Sequence, residues 1–143
     1  MSLMARSSVD EMLRTIEFEC RLTRRLIGKD KLQPEVTEAM SRVRRDEFVP
    51  VDLKTFAYDS TILPIGNGQA ISQSFIVALM TDLLNPGKED SILEVGTGSG
   101  YQAAILSLLG EQGIFRRNHR NVDGTDCKAS RRTGIRQRCS TPW

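Results

Sequence analysis

The chain has one histidine, His119, and it falls near the C-terminus. Any chemistry in the first hundred residues must therefore do without imidazole. The three cysteines, Cys20, Cys127 and Cys139, show no metal-ligand spacing, and their odd number does not suit a disulfide framework. No apolar run approaches the ~18 residues of a membrane span. The opening MSLMARSSVDEM lacks the apolar core of an export signal, so the cytoplasm is the expected compartment. Aromatics make up 6% of the residues and do not interleave with basic ones, which argues against a nucleic-acid partner.

What is present suits one soluble α/β domain. The chain has 143 residues, 27% charged and 39% hydrophobic. A net charge of +2 conceals an asymmetry. Residues 113–143 hold eight Lys or Arg against two Asp; with chain totals of 20 and 18, twelve basic and sixteen acidic residues precede them. An acidic body carries a basic tail.

The periodicity predicts three helices before the first strand. In SSVDEMLRTIEFECRLTRRLIG, Val9, Met12, Leu13, Ile16 and Cys20 share one face. Ser8 and Glu11 have capping-box spacing, and Gly28 can close the helix. PEVTEAMSRVRR has Pro34 in its first turn and an apolar stripe of Val36, Met40 and Val43. The stretch from Asp46 to Gly66 reads as irregular or extended. QSFIVALMTDLL gives the third helix, with Ser72 placed to cap it. SILEV then reads as a short strand, GTGSG as a glycine turn and YQAAILSLLG as a helix. That is the first unit of a doubly wound α/β sheet. After Gly110 the pattern fades, and residues 113–143 read as a poorly ordered tail.

The turn in LEVGTGSGYQ spaces Gly96, Gly98 and Gly100 by two, around Thr97 and Ser99, with Glu94 two residues ahead. Glycines allow a ligand to approach the backbone, and the N–H groups opening the next helix favour an anion. Dinucleotide sites usually space the last two glycines by three. A purely structural turn and a dinucleotide site are the competing readings.

The E-x-G-x-G-x-G form resembles motif I of class I S-adenosylmethionine-dependent methyltransferases. That implies S-adenosyl-L-methionine as cofactor, with Glu94 meeting its ammonium, directly or through water, and backbone N–H groups its carboxylate. Three segments in order, RRDEFVP, AYDSTILPIGNGQAISQSFIVALMTDLL and ILEVGTGSGYQAAIL, resemble the protein-L-isoaspartate O-methyltransferase family. The resemblance covers roughly residues 34–110. It implies methyl transfer to the free carboxyl of isoaspartyl residues in damaged proteins. A carboxylate is already ionised at neutral pH, with a pKa near ~4, so no strong base is needed. What the site must supply is alignment. A neutral loop suits this: Asp or Glu there would repel the acceptor, and Lys or Arg would blunt it. The stretch LPIGNGQAISQSF carries no charge. By resemblance Ser72 is the active-site serine, and Gln69, Ala70 and Ile71 touch substrate backbone and cofactor. Tyr58 and Asp59 match a segment beside the site. One departure stands out: the family reads Ile-Ser-x-Pro, and here Ser74 replaces the proline, which is expected to loosen the turn.

After Gly110 the resemblance implies a second strand with an acidic end, and none is expected from this sequence; Asp123 and Asp126 follow no apolar run. With codons chosen freely and read one base later, IFRRNHRNVDGTDCKASRRTGIRQR can become YSEEIIEMLTELTAKQAAELEYDNV, which is similar to the family's continuation. The expectation is a methyltransferase segment ending at residue 112, then an out-of-frame tail. A βα unit without neighbouring strands implies a marginal, aggregation-prone chain with weak or no cofactor binding and little activity. A non-catalytic product or interaction module, and a methyltransferase for another acceptor, are the alternatives.

Overall fold

The computed structural model describes residues 3–110 and the strand backbone of 112–116, with side chains from residue 8 to residue 110. Helix α1 runs Leu3–Ile27 and α2 Pro34–Arg42. Two short 3-10 segments follow, Arg45–Glu47 and Val51–Phe56. Strands β1 (Leu63–Gly66) and β2 (Gln69–Ile71) lead into α3 (Ser74–Leu84). Strand β3 (Ser91–Val95), helix α4 (Tyr101–Leu106) and strand β4 (Gln112–Arg116) complete the described chain.

Helix α1 forms where Val9, Met12, Ile16 and Cys20 recur at helical spacing, and these four are buried. It ends where expected: Gly28 has φ +75°, and its N–H bonds the Arg24 carbonyl at 3.0 Å. Its start differs from the sequence reading. The helix begins at Leu3, so Ser8 lies inside it and not at its start. Capping-box spacing marks a start only where the chain upstream is non-helical. Helix α2 begins at Pro34 and stops at Arg42; Val43 has left the helix with ψ 113°.

The helices enclose the larger apolar cluster, which includes Met12, Ile16, Val36, Met40, Phe75, Ala78, Tyr101 and Ile105. A buried acid fastens it. Asp82, 1% exposed, pairs with Lys29 and accepts the Gln33 backbone N–H at 2.6 Å. The end of α3 is thereby tied to the link between α1 and α2. A buried carboxylate needs such partners, because an unpaired one costs several kcal/mol, on the order of 3–5.

The two sheets are small. β1 and β2 pair antiparallel, Leu63 opposite Ile71 and Pro64 opposite Ala70, with an irregularity before the Gly66–Gln69 pair. Asn67 and Gly68 both have positive φ, 53° and 69°, as a type I′ hairpin turn requires. β3 and β4 pair parallel over five residues, from Ser91–Gln112 to Val95–Arg116, with α4 between them in sequence. The expectation of no strand after Gly110 is therefore corrected. Residues 112–116 form β4, which crosses the boundary set at 112 and gives β3 a neighbour. Five residues are too few to show a period, and the pairing comes from the β3 edge rather than from local pattern. The remainder of the tail, including Asp123, Asp126 and the out-of-frame reading beyond residue 116, lies outside the described residues.

Candidate functional site

The uncharged stretch that begins at Leu63 is a hairpin followed by a helix start. β2 carries Gln69, Ala70 and Ile71, and the chain leaves the strand at Ser72. Ser72 does not cap α3. The cap position is Gln73, with φ −52° and ψ 142°, and its side chain makes no capping bond. Gln73 turns instead toward α1: its Nε2 donates to Glu19 Oε1 at 2.8 Å and to Ser60 Oγ at 2.6 Å. Ser72 is exposed, and its hydroxyl makes no hydrogen bond among the described residues. The hydroxyl is thus available to a ligand, and only the Ser72 carbonyl is engaged, by Arg45.

Opposite Ser72 stands the glycine turn. Gly96, Gly98 and Gly100 have φ of 82°, 56° and 87°, a region that costs an L side chain roughly 1–2 kcal/mol. A Cβ at Gly96 would meet nothing within 4 Å, so the backbone conformation and not crowding calls for glycine there. Part of the turn's hydrogen-bonding capacity is used internally. The Gly100 N–H bonds the Thr97 carbonyl at 2.8 Å, and the Tyr101 N–H reaches Ser99 Oγ at 3.3 Å. Helix α4 is only six residues long.

Ala70, Ile71 and Ser72 share one cleft with Glu94, Gly96, Thr97, Gly98 and Ser99; Val77, Tyr101 and Gln102 complete its lining. Its volume is about 80 Å³. Two residues expected there do not line it: Gln69 sits in the hairpin, opposite Gly66, and Gly100 is buried at the start of α4. Tyr58 and Asp59 line a separate hollow of about 340 Å³ with Ser8, Glu11 and Thr15 of α1. The Tyr58 hydroxyl donates to Asp46 Oδ1 at 2.7 Å. Burial would raise the Asp46 carboxyl, but hydrogen bonds from Arg44 and Tyr58 outweigh it and hold it below the usual range.

Glu94 is the carboxylate in the cleft. Its Oε2 is buried and has no hydrogen-bond partner among the described residues. Burial raises its pKa above the ordinary 4.5, and a hydrogen bond with the Thr97 side chain acts the other way. A half-buried carboxylate with an unmet oxygen is poised for a cation or a strong donor. Among the described residues no three His, Cys, Asp or Glu side chains gather to hold a metal.

Sequence reasoning missed Arg45. It is 0% exposed, donates through Nε to the Ala57 carbonyl and through Nη2 to the Ser72 carbonyl, both at 2.7 Å, and lies 4.9 Å from the centre of the Tyr101 ring. Nothing in RRDEFVP distinguishes it from Arg44, which is exposed and paired with Asp46. Buried arginines are rare, so the prior runs against finding one.

Residues 19–121 match the family model described as protein-L-isoaspartate(D-aspartate) O-methyltransferase. The chain belongs to this family. The match begins in α1 and runs through β4, beyond residues 34–110 on both sides. Among curated relatives, protein-L-isoaspartate O-methyltransferase 2 of Nitrosococcus oceani is 60% identical over 99 residues, which are 69% of this chain and 45% of that protein. A protein of the same name from Syntrophobacter fumaroxidans is 58% identical over 97 residues, 68% of this chain and 39% of that one. Protein-L-isoaspartate O-methyltransferase of Methanoregula boonei is 48% identical over 100 residues, 70% and 43%. The chain thus matches less than half the length of these methyltransferases.

Proposed function

We propose that this chain carries the donor-facing and acceptor-facing walls of an isoaspartyl methyltransferase site, on the opening unit of a Rossmann-like class I sheet. One observation supports this most: the unmet Glu94 carboxylate oxygen and the unengaged Ser72 hydroxyl lie in the same cleft. S-adenosyl-L-methionine, when bound, supplies a methyl on a positively charged sulfur for transfer to a carboxylate oxygen, giving a methyl ester.

The residues present fit the methionine end of that molecule. Glu94 holds the ammonium, and backbone N–H groups of the Gly96–Gly100 turn hold the carboxylate. Loss of the charged hydrogen bond from Glu94 corresponds to ~10–100-fold in affinity. Ser72 Oγ donates to the acceptor carboxylate and fixes its direction, while Gln69, Ala70 and Ile71 present the hairpin edge to the substrate chain. Tyr58 and Asp59 meet substrate residues further from the reacting carboxyl. No side chain in the cleft needs to take a proton, because the nucleophile arrives ionised.

The cleft is small beside the ~300–1,000 Å³ usual for small-molecule sites. It suits a methionine-sized fragment, and the adenosine end needs further walls. Weak binding and slow transfer are therefore the expectation for this chain. The test is transfer of a labelled methyl to an isoaspartyl peptide and to its aspartyl twin. Slow labelling of the isoaspartyl peptide alone supports the reading; equal labelling of both, or labelling of neither, removes it.

A further inference from the structure

Arg45 is a fully buried cation with no carboxylate partner among the described residues. Its charge is met by two carbonyls and an aromatic face, and its Nη1 has no hydrogen-bond partner among the described residues. That is an expensive way to fill space: a well-packed apolar side chain of similar volume is often neutral or stabilising in place of a buried charge. The three groups it touches come from three separate segments. Ala57 precedes the Tyr58–Asp59 pair, Ser72 closes the hairpin, and Tyr101 is the first residue after the glycine turn.

The Tyr101 ring is itself fixed. It packs on Phe48 with ring centroids 5.5 Å apart, and its hydroxyl lies 4.0 Å from Met40 Sδ. The guanidinium therefore lies between a fixed point on the donor side and the peptide plane of Ser72 on the acceptor side. Its planar fork reaches two carbonyls at once, which a lysine ammonium on a flexible stem cannot reproduce.

We propose that Arg45 is a positioning residue for methyl transfer, setting the place of Ser72 relative to the glycine turn. This rests on the reading of Ser72 and the turn as the two walls of the site. Arg45 touches neither donor nor acceptor; it acts through the Ser72 backbone. Misplacement of a reacting group by about 1 Å can cost ~10²-fold in rate, so the effect belongs in kcat.

The test compares the 143-residue chain with Arg45→Lys, and with Arg45→Gln as a second variant should lysine prevent folding. The readouts are kcat and KM for an isoaspartyl peptide, affinity for S-adenosylhomocysteine, and amide exchange. The expected result is a kcat lower by ~10–100-fold, with peptide KM and donor affinity within about threefold. A merely structural role would instead lower kcat, donor affinity and thermal stability together. A lysine variant with wild-type kcat, or kcat and donor affinity falling in step with thermal stability, overturns the proposal. Failure of the functional reading is separate and shows in the unsubstituted chain as no methyl transfer. Amide exchange then decides: faster exchange at Ile71–Gln73 with α4 still protected supports the role of Arg45, and unchanged exchange there overturns it.

Discussion

The two walls of the cleft are held in different ways. The Ser72 wall is tied down from several directions: Arg45 grips its carbonyl, and Gln73 beside it is bonded to Glu19 and Ser60. It sits over the larger apolar cluster. The Glu94 wall stands on a five-residue strand whose Ile92 clusters only with Ala103 and Leu106 of the six-residue helix, while Tyr101 and Ile105 of that helix join the larger cluster. On the other face of that strand Leu93 and Val95 are 62% and 65% exposed. Both sides leave buried polar atoms unmet among the described residues, Glu94 Oε2 here and Glu19 Oε2, Arg45 Nη1 and Ser74 Oγ on the Ser72 side. The bonds of the glycine turn, however, are local ones, Gly100 N–H to the Thr97 carbonyl and Tyr101 N–H to Ser99 Oγ. One wall is tied by side-chain bonds from other segments; the strand of the other is held chiefly by its backbone ladder.

The sharpest break of this contrast is in stability. Ile71→Ala, beside Ser72 in the larger cluster and 4% exposed, is expected to cost about 2–5 kcal/mol. Ile92→Ala, in the small cluster, is expected to fall at or below the lower end of that range, because its surroundings can collapse. Chemical denaturation of both variants checks the order. If Ile92 costs as much as Ile71, the two walls are equally packed.

Ligand binding comes next. Glu94→Gln is expected to weaken S-adenosylhomocysteine binding by ~10–100-fold without lowering thermal stability at neutral pH. The sign follows from linkage. The folded pKa of Glu94 lies above its unfolded value, so the protonated form favours folding. That contribution is fully present below the ordinary 4.5 and is lost as pH rises through the raised value. Melting temperature against pH should thus fall less between pH 4 and 8 in the glutamine variant. Affinity for the ammonium runs the opposite way and rises as Glu94 ionises.

Smaller effects sharpen the same comparison. Ser74→Pro places a proline at the first position of α3, where the preceding Gln73 is already extended and the Ser74 hydroxyl is buried without a partner among the described residues. It is expected to stabilise by about 0.4–1 kcal/mol, read by denaturant midpoint. Leu93→Thr with Val95→Thr is expected to reduce light scattering on heating while shifting the midpoint by less than ~0.5 kcal/mol.

Much of this was legible in the sequence. Apolar spacing placed the faces of α1 and α2, and the glycine spacing placed the turn after β3. The Asn67-Gly68 pair was a hairpin signal that went unread, because the prolines and glycines around it suggested a plain loop. The cap at Ser72 failed by one residue, a distance that side-chain type alone does not resolve. β4 was hidden because its ladder with β3 is non-local, and Arg45 because one buried arginine in a pair looks like two surface ones.

The most direct test of the shared cleft is a calorimetric titration of the unsubstituted chain and of Glu94→Gln with S-adenosylhomocysteine. Weak, saturable heat in the first that disappears in the second is the expected result. Equal binding by both would place the ligand away from Glu94, and no binding by the unsubstituted chain would remove the donor wall from the proposal.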